Sequence, residues 1–315
     1  MRVIFMGTPD FSVGTLEALL KAGHEVVLAV TQPDKPKGRG NSMQFPPVKE
    51  TALLHGIEVY QPRKIREPEC IAYLENYQAD IIVVVAFGQI LPKEILEMPK
   101  YGCVNVHASL LPKYRGAAPI QWAVINGEKV SGVTTMRMDQ GLDTGDIIMK
   151  QEVALTKEET GGSLFERLAQ TGADLLIRTL QAIEQGSAVY TPQDHQAATH
   201  TSIIKKQLGE IDWSKSAQEL ERLVRGLNPW PSAYTQLHGK TLKIWKTTVA
   251  ESQTEEETGL EPGTVAAVSK NSLTVQTAKG RLLLEEVQLE GKKRMTIDAF
   301  LRGFPVEAGT KFGKE

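Results

Sequence analysis

Through the first 110 residues the hydrophobic positions come in short runs of two alternating kinds. "RVIFMG" (2–7) is a continuous apolar run stopped by Gly7, which reads as a strand. "FSVGTLEALLKAG" (11–23) repeats its apolar positions at helical spacing and stops at Gly23. "EVVLAVTQ" (25–32) predicts a second strand, and "PPVKETALLHG" (46–56) a helix opened by prolines and closed by Gly56. "DIIVVVAFG" (80–88) is β-branched and too apolar for an edge, so it predicts a central strand buried on both faces. "YGCVNVHAS" (101–109) follows as another strand, and "AAPIQWAVINGE" (117–128) has a helical pattern. This β-α-β alternation predicts an α/β domain with a Rossmann-like, mostly parallel, doubly wound sheet.

Beyond residue 132 the texture changes. "GVTTMRMDQGLDTGDIIMKQEVAL" (132–155) reads as two strands around a glycine-rich turn. Residues 161–186 form a long amphipathic helical pattern, and the polar, mixed stretch of 187–206 suits a linker. After a helix at "SAQELERLVRGLN" (216–228), short turn-bounded strands at 233–250, 263–269, 272–280 and 281–289 predict a small all-β barrel or sandwich. The run "ESQTEEETGLEPG" (251–263) reads as a solvated loop, and no internal repeat is present. The expected division is 1–189, a linker over 190–206, and 207–315.

Composition narrows the class. A length of 315 residues suits two domains, and no apolar run approaches the roughly 20 residues that span a bilayer. The N-terminus reads as a strand rather than a secretion signal. Two cysteines, Cys70 and Cys103, cannot build a disulfide framework or a zinc site, so a reducing cytoplasm is expected and no metal. The formal charge of −2 carries no hint of a nucleic-acid partner, although a local basic surface would suffice for one. The first strand is followed by "GTPDF", without the glycines that let a backbone approach a pyrophosphate, and no Walker lysine motif occurs. NAD and nucleotide binding are therefore discounted.

Candidate chemistry lies at 105–146. Asn105 and His107 fall at a predicted strand end, and alternation turns both to one face. Open α/β sheets place their sites beyond such ends. Asp143, in "GLDTGD", lies in a turn between two strands. Each has an ordinary reading: a hydrogen-bonded structural histidine, a turn-forming asparagine, turn carboxylates at Asp143 and Asp146. The single Asp-Thr-Gly lacks the second carboxylate that aspartic-protease chemistry needs. Together an amide, an imidazole and a carboxylate suit acyl transfer to an amine. The donors would hold an oxyanion, and a His–Asp pair would move a proton from attacking to leaving nitrogen.

"NVHASLLPKYRGAAPIQWAVINGE" followed by "GVTTMRMDQGLDTGDII" closely resembles the formyl-group transferases that use 10-formyltetrahydrofolate. "MGTPDF", "TQPDKPKGRG", "VVVAFGQILP" and "LNPWPSAY" narrow the resemblance to the bacterial branch acting on initiator methionyl-tRNA, over nearly the whole chain. The resemblance implies that Asn105 and His107 stabilise the oxyanion and that Asp143 orients His107. It implies a folate site at Ser109, Leu110, Leu111 and Pro112, bordered by Phe87, Gly88 and Ile90. It makes "DKPKGRGNSMQFPPVK" (34–49) a loop that meets the tRNA acceptor stem, with Lys35, Lys37 and Arg39 as phosphate partners. Prolines and glycines in that loop are expected to prevent regular structure.

The C-terminal barrel is expected to be OB-like, with Lys243, Lys246, Lys292, Lys293 and Arg294 on its nucleic-acid face. Trp213, Trp230 and Trp245 are expected in the core. In the linker, Ile203 stands where the family commonly has lysine, and Lys205 and Lys206 compensate. A monomer is expected, with no membrane association. The alternatives are a formyltransferase for a small amine, a hydrolase of the same folate, and a non-catalytic tRNA-binding protein.

Overall fold

A computed structural model of the chain describes residues 1–37, 42–250 and 259–313. It divides into two compact units, one of Met1–Pro119, Val130–Ala154 and Phe165–Thr201, the other of Ile120–Lys129, Leu155–Leu164 and Ser202–Glu315. In chain order the first eleven strands are β1 (Arg2–Gly7), β2 (Glu25–Val30), β3 (Lys35–Lys37), β4 (Ser42–Gln44), β5 (Val59–Tyr60), β6 (Ile81–Val85), β7 (Cys103–His107), β8 (Arg115–Gly116), β9 (Val130–Arg137), β10 (Ile147–Ala154) and β11 (His200–Thr201). The first six helices are α1 (Asp10–Lys21), α2 (Pro47–Leu54), α3 (Pro68–Glu75), α4 (Lys93–Glu97), α5 (Pro119–Ile125) and α6 (Gly161–Glu184).

The first unit is built on a seven-stranded sheet of order β10-β9-β7-β6-β1-β2-β5. The five strands β5, β2, β1, β6 and β7 are parallel. β9 and β10 are antiparallel, because a short turn, not a helix, joins them. All five residues of β6 are buried, as its unbroken β-branched run requires. On one face Ile4, Met6, Leu28, Val30, Ile82, Val84 and Cys103 pack with Leu74 of α3 and Ile95 and Leu96 of α4. On the other, Val106 lies so close to α6 that a Cβ added at Gly172 would come within 2.9 Å of its Cγ1.

Two stretches differ from expectation. Residues 34–49 include a ladder: Lys35–Lys37 pairs antiparallel with Ser42–Gln44. Pro36 is tolerated because a two-stranded ribbon has free edges, where a missing N–H goes unnoticed. The ribbon is tied at its foot: Lys49 Nζ donates to Asp34 Oδ2 at 2.7 Å and Gln61 Oε1 at 2.8 Å, while Gln61 Nε2 donates to Asp34 Oδ1 at 2.8 Å. The second stretch is 190–201, expected as linker, which is folded into the first unit. Thr191 bridges Ile147, and His200–Thr201 runs parallel to Arg115–Gly116. Its attachments are hydrogen bonds rather than apolar burial, so hydropathy does not reveal them.

The second unit holds β12 (Ala233–Leu237), β13 (Lys240–Val249), β14 (Val265–Val268), β15 (Leu273–Gln276), β16 (Arg281–Leu289) and β17 (Met295–Thr296), with α7 (Ala217–Gly226) and α8 (Ile297–Gly303). Its antiparallel strands follow the order β12-β13-β16-β15-β14, with β17 also on β16. One core gathers Trp213, Leu220 and Val224 from the α7 side with Leu242, Ile244, Val275, Leu284, Val287 and Phe300. Ser216 and Glu219 form a reciprocal cap at the start of α7. Among the described residues no helix is long and apolar enough to cross a membrane.

Candidate active site

β7 presents Asn105 and His107 on one side, two residues apart, at the carboxyl end of the parallel sheet. Asn105 is paired with Val84 of β6 and Met136 of β9, so both its neighbours are core strands. His107 is only 7% exposed. Its Nε2 lies 2.9 Å from the Tyr114 carbonyl oxygen. A carbonyl only accepts, so Nε2–H donates. Nδ1 faces Asp143 Oδ2 at 3.7 Å, inside ion-pair range and longer than a hydrogen bond. The same Oδ2 accepts the Gly116 N–H at 2.8 Å. Among the described residues no hydrogen-bond partner reaches the Asn105 carboxamide, which is half-buried.

The surrounding turns are held by groups with little sequence signal. Thr134 of β9 donates from Oγ1 to the Ser109 carbonyl at 2.7 Å and accepts the Leu111 N–H at 3.1 Å, fixing the Ser109–Pro112 loop from below. Ser109 Oγ donates to the Lys113 carbonyl at 2.7 Å. At the end of β6 the Phe87 carbonyl accepts Thr8 Oγ1 at 3.3 Å and Gln32 Nε2 at 3.1 Å. Ala86, Tyr114 and Asp143 all have left-handed φ, at 47°, 60° and 54°. Such backbone persists only where neighbours over-determine it.

Of the residues expected to line a folate pocket, Phe87 and Leu111 place their side chains in the interior. Leu110 and Pro112 are half-buried, Ile90 is 77% exposed, and Ser109 is buried by its own hydrogen bond. Gly88 has φ +84°, a conformation that suits glycine. The accessible apolar surface is thus narrower than the sequence suggests, and the turns offer mainly backbone groups. Burial pushes the Cys103 thiol up to about 12, so it is no nucleophile. Among the described residues no group of three His, Cys, Asp or Glu side chains could hold a metal ion.

Residues 1–180 match the family described as formyl transferase, and residues 203–305 match the formyl transferase C-terminal domain. The chain belongs to the formyl transferase family. It is 65% identical over 312 residues to the methionyl-tRNA formyltransferase of Agathobacter rectalis, covering 99% of each chain. It is 56% identical over 315 residues to that of Lachnospira eligens, covering 100% of each. The crystal structure of an N-formyltransferase from Helicobacter canadensis, in complex with folinic acid and dTDP-3-aminofucose, shares the fold. Its TM-score is 0.65 at 19% identity, over 93% of this chain and 99% of that one.

In this formyl transferase the cations expected to meet nucleic acid are in unequal situations. Lys35 is exposed on β3, nothing is described of the Lys37 side chain, and Arg39 lies outside the described residues. Lys49 is committed to Asp34. Lys205, Lys206, Lys292 and Lys293 are exposed. Lys246 pairs with Glu285 at 2.8 Å, and Arg294 Nε donates to Glu286 at 2.6 Å. Lys243 and Arg294 lie 5.6 and 4.9 Å from the Trp245 ring centroid, over a half-buried indole. Of the three tryptophans expected in the core only Trp213 is there, its indole N–H donating to Thr235 at 3.1 Å. Trp230 is 51% exposed, because it sits between Pro229 and Pro231 in a turn where no strand alternation turns it inward.

Sequence reasoning missed the Tyr114 carbonyl, the Gly116 N–H, Thr134, Arg115 and Gln193. The first two are backbone groups, which carry no signal in residue identity. Arg115 reads as a loop cation in "KYRG" yet is 3% exposed.

Proposed function

We propose that this chain transfers the formyl group of 10-formyltetrahydrofolate to the free α-amino group of initiator methionyl-tRNA, with Asn105, His107 and Asp143 as the catalytic groups. The observation that carries the reading is the full-length 65% identity to a methionyl-tRNA formyltransferase, joined to an unpartnered amide beside a His–Asp pair at the carboxyl end of the sheet.

An α-amine has a pKa near 8, so a good share is neutral at cellular pH and attacks unaided. The amine nitrogen adds to the formyl carbon, and the tetrahedral intermediate then expels the folate nitrogen. One proton leaves the amine and one arrives on the departing nitrogen. The Asn105 carboxamide donates to the formyl oxygen as it gains negative charge, and the His107 ring, backed by Asp143, supports the same charge and the proton transfer. Backbone groups of the Ser109–Pro112 and Phe87–Gly88 turns, with Ile90 and Leu110 beside them, bind the pterin. Lys35, Lys37, Arg39, Lys205, Lys206, Lys292 and Lys293 contact tRNA phosphates, and Lys243, Lys246 and Arg294 lie on the barrel's tRNA-facing surface, Lys246 and Arg294 there paired with Glu285 and Glu286. Residues 1–189, with the 190–201 segment folded onto them, form the catalytic domain and 207–315 the tRNA-binding domain of a cytoplasmic monomer.

The test is direct. The protein is incubated with labelled 10-formyltetrahydrofolate and charged initiator tRNA, and formylmethionine is released by mild hydrolysis. Label in formate alone marks a hydrolase, and transfer to an amino sugar but not to tRNA marks a small-amine enzyme. Either result replaces the proposal.

A further inference from the structure

From Thr191 to Ala197 the chain is exposed at every residue but one. Gln193 turns inward and is 6% exposed. Its Nε2 donates to two main-chain carbonyls, Asp143 O at 2.9 Å and Gly145 O at 2.7 Å. Its Oε1 accepts from Arg115, at 3.1 Å from Nε and 2.7 Å from Nη2. The amide orientation follows from these partners, because the reverse would set oxygen against two carbonyls and NH2 against a guanidinium. Arg115 is 3% exposed, and its Nη2 also donates to His195 Nδ1 at 3.2 Å.

These bonds converge on one turn. The Asp143 main chain is gripped by Gln193, and its carboxylate accepts the N–H of Gly116, the residue after Arg115. Asp143 has φ 54°, a conformation an unsupported aspartate would leave readily. A cross-strand bond from Arg137 N–H to Asp146 O at 2.9 Å and the Asp139 carboxylate, which accepts Gly141 N–H and Thr144 Oγ1, brace the loop outside the 143–145 carbonyls. The Asp143 and Gly145 carbonyls are held by Gln193.

We propose that Gln193, oriented by the buried Arg115 guanidinium, is the positioning residue that holds Asp143 against His107. The inference rests on the catalytic reading of Asp143, and the test separates the two. Gln193→Glu keeps an acceptor facing Arg115 while replacing the donors to both carbonyls. Gln193→Asn keeps the amide one methylene short. Steady-state formyl transfer, giving kcat and KM for both substrates, is measured for each, alone and combined with Asp143→Ala, at a temperature where circular dichroism shows every variant folded.

A misplacement on the order of 1 Å costs up to about 100-fold, so a kcat loss of about ten-fold or more is expected in both variants, with KM for both substrates unchanged. In the Asp143→Ala background the Gln193 changes are expected to add less than about two-fold, because groups acting as a unit are non-additive. Wild-type kcat in Gln193→Glu and Gln193→Asn, with Asp143→Ala impaired, overturns the positioning role alone. Equal loss with and without Asp143 makes Gln193 a general structural residue and also overturns it. Wild-type turnover in Asp143→Ala removes the catalytic reading and the proposal with it.

Discussion

Asn105 and His107 differ in what surrounds them, and this sets what their loss would do. The Asn105 amide is tied to nothing described, so Asn105→Ala leaves no orphaned partner and the fold is expected to survive intact. The expected effect is a fall of about 100- to 1,000-fold in single-turnover transfer, the magnitude known for removing one oxyanion donor, with tRNA affinity nearly unchanged. His107→Ala removes the ring's bond to the Tyr114 carbonyl and its contact with Asp143, so it is expected to lower the melting temperature as well. Filter binding beside rapid-quench kinetics checks both, and a parallel loss of binding and transfer would remove the pair from the chemistry. Gly116 is a third residue with a defined cost. It has φ +95°, and a Cβ there would sit 2.7 Å from the Thr201 carbonyl oxygen. Gly116→Ala must shift the backbone whose N–H holds Asp143. Roughly 1–3 kcal/mol of destabilisation is expected, together with reduced turnover. A variant as stable and active as wild type would show that the β8–β11 pairing yields freely.

At the scale of elements, apolar periodicity made β1, α1, β2, α2, β6, β7, α6 and α7 legible, because burial on a sheet or helix face leaves its period in the sequence. Asn105 and His107 were legible for the same reason, through the alternation of β7. What periodicity cannot carry is polar attachment. The 190–201 segment reads as linker because its anchors are Gln193, Thr199, whose Oγ1 accepts the Tyr114 N–H at 2.8 Å, and main-chain atoms, and the β3–β4 ribbon is hidden by its prolines and glycines. The tie at the foot of that ribbon has a testable pH signature. Hydrogen bonds from Lys49 and then Gln61 hold the Asp34 carboxyl below its ordinary value of 3.8. The native state therefore binds that proton less readily than the unfolded chain. The stabilisation is full above the unfolded value and is lost as pH falls through the lower, folded one. Urea unfolding of wild type and Asp34→Asn is expected to show a gap of roughly 0.5–1 kcal/mol at about pH 6 that closes toward about pH 3. A gap that does not change with pH would mean the carboxylate charge contributes nothing there.

For the molecule as a whole the telling quantity is the net charge of −2, small for a protein proposed to bind a polyanion. Long-range attraction toward tRNA is then weak, and affinity must come from a few cations placed where phosphates arrive. Those cations are not equivalent. Lys246 and Arg294 already have Glu285 and Glu286 as partners, so a phosphate would compete with a carboxylate and leave it beside the bound strand. Lys292 and Lys293, like Lys205 and Lys206, are exposed, with no ion pair among the described residues. Each that neutralises one phosphate releases counterions and adds about 0.7–0.9 to the slope of log affinity against log salt. Replacing Lys292 and Lys293 together by alanine is therefore expected to flatten the slope by roughly 1.5 and weaken binding most at low salt. Lys246→Ala is expected to change it by less than half a unit or so, because its counterion is the protein's own carboxylate. Titrations of charged initiator tRNA over a range of potassium chloride decide the matter. If the double variant keeps the wild-type slope while Lys246→Ala flattens it, the paired cations are the phosphate ligands, and Glu285 and Glu286 serve to hold them ready rather than to neutralise them.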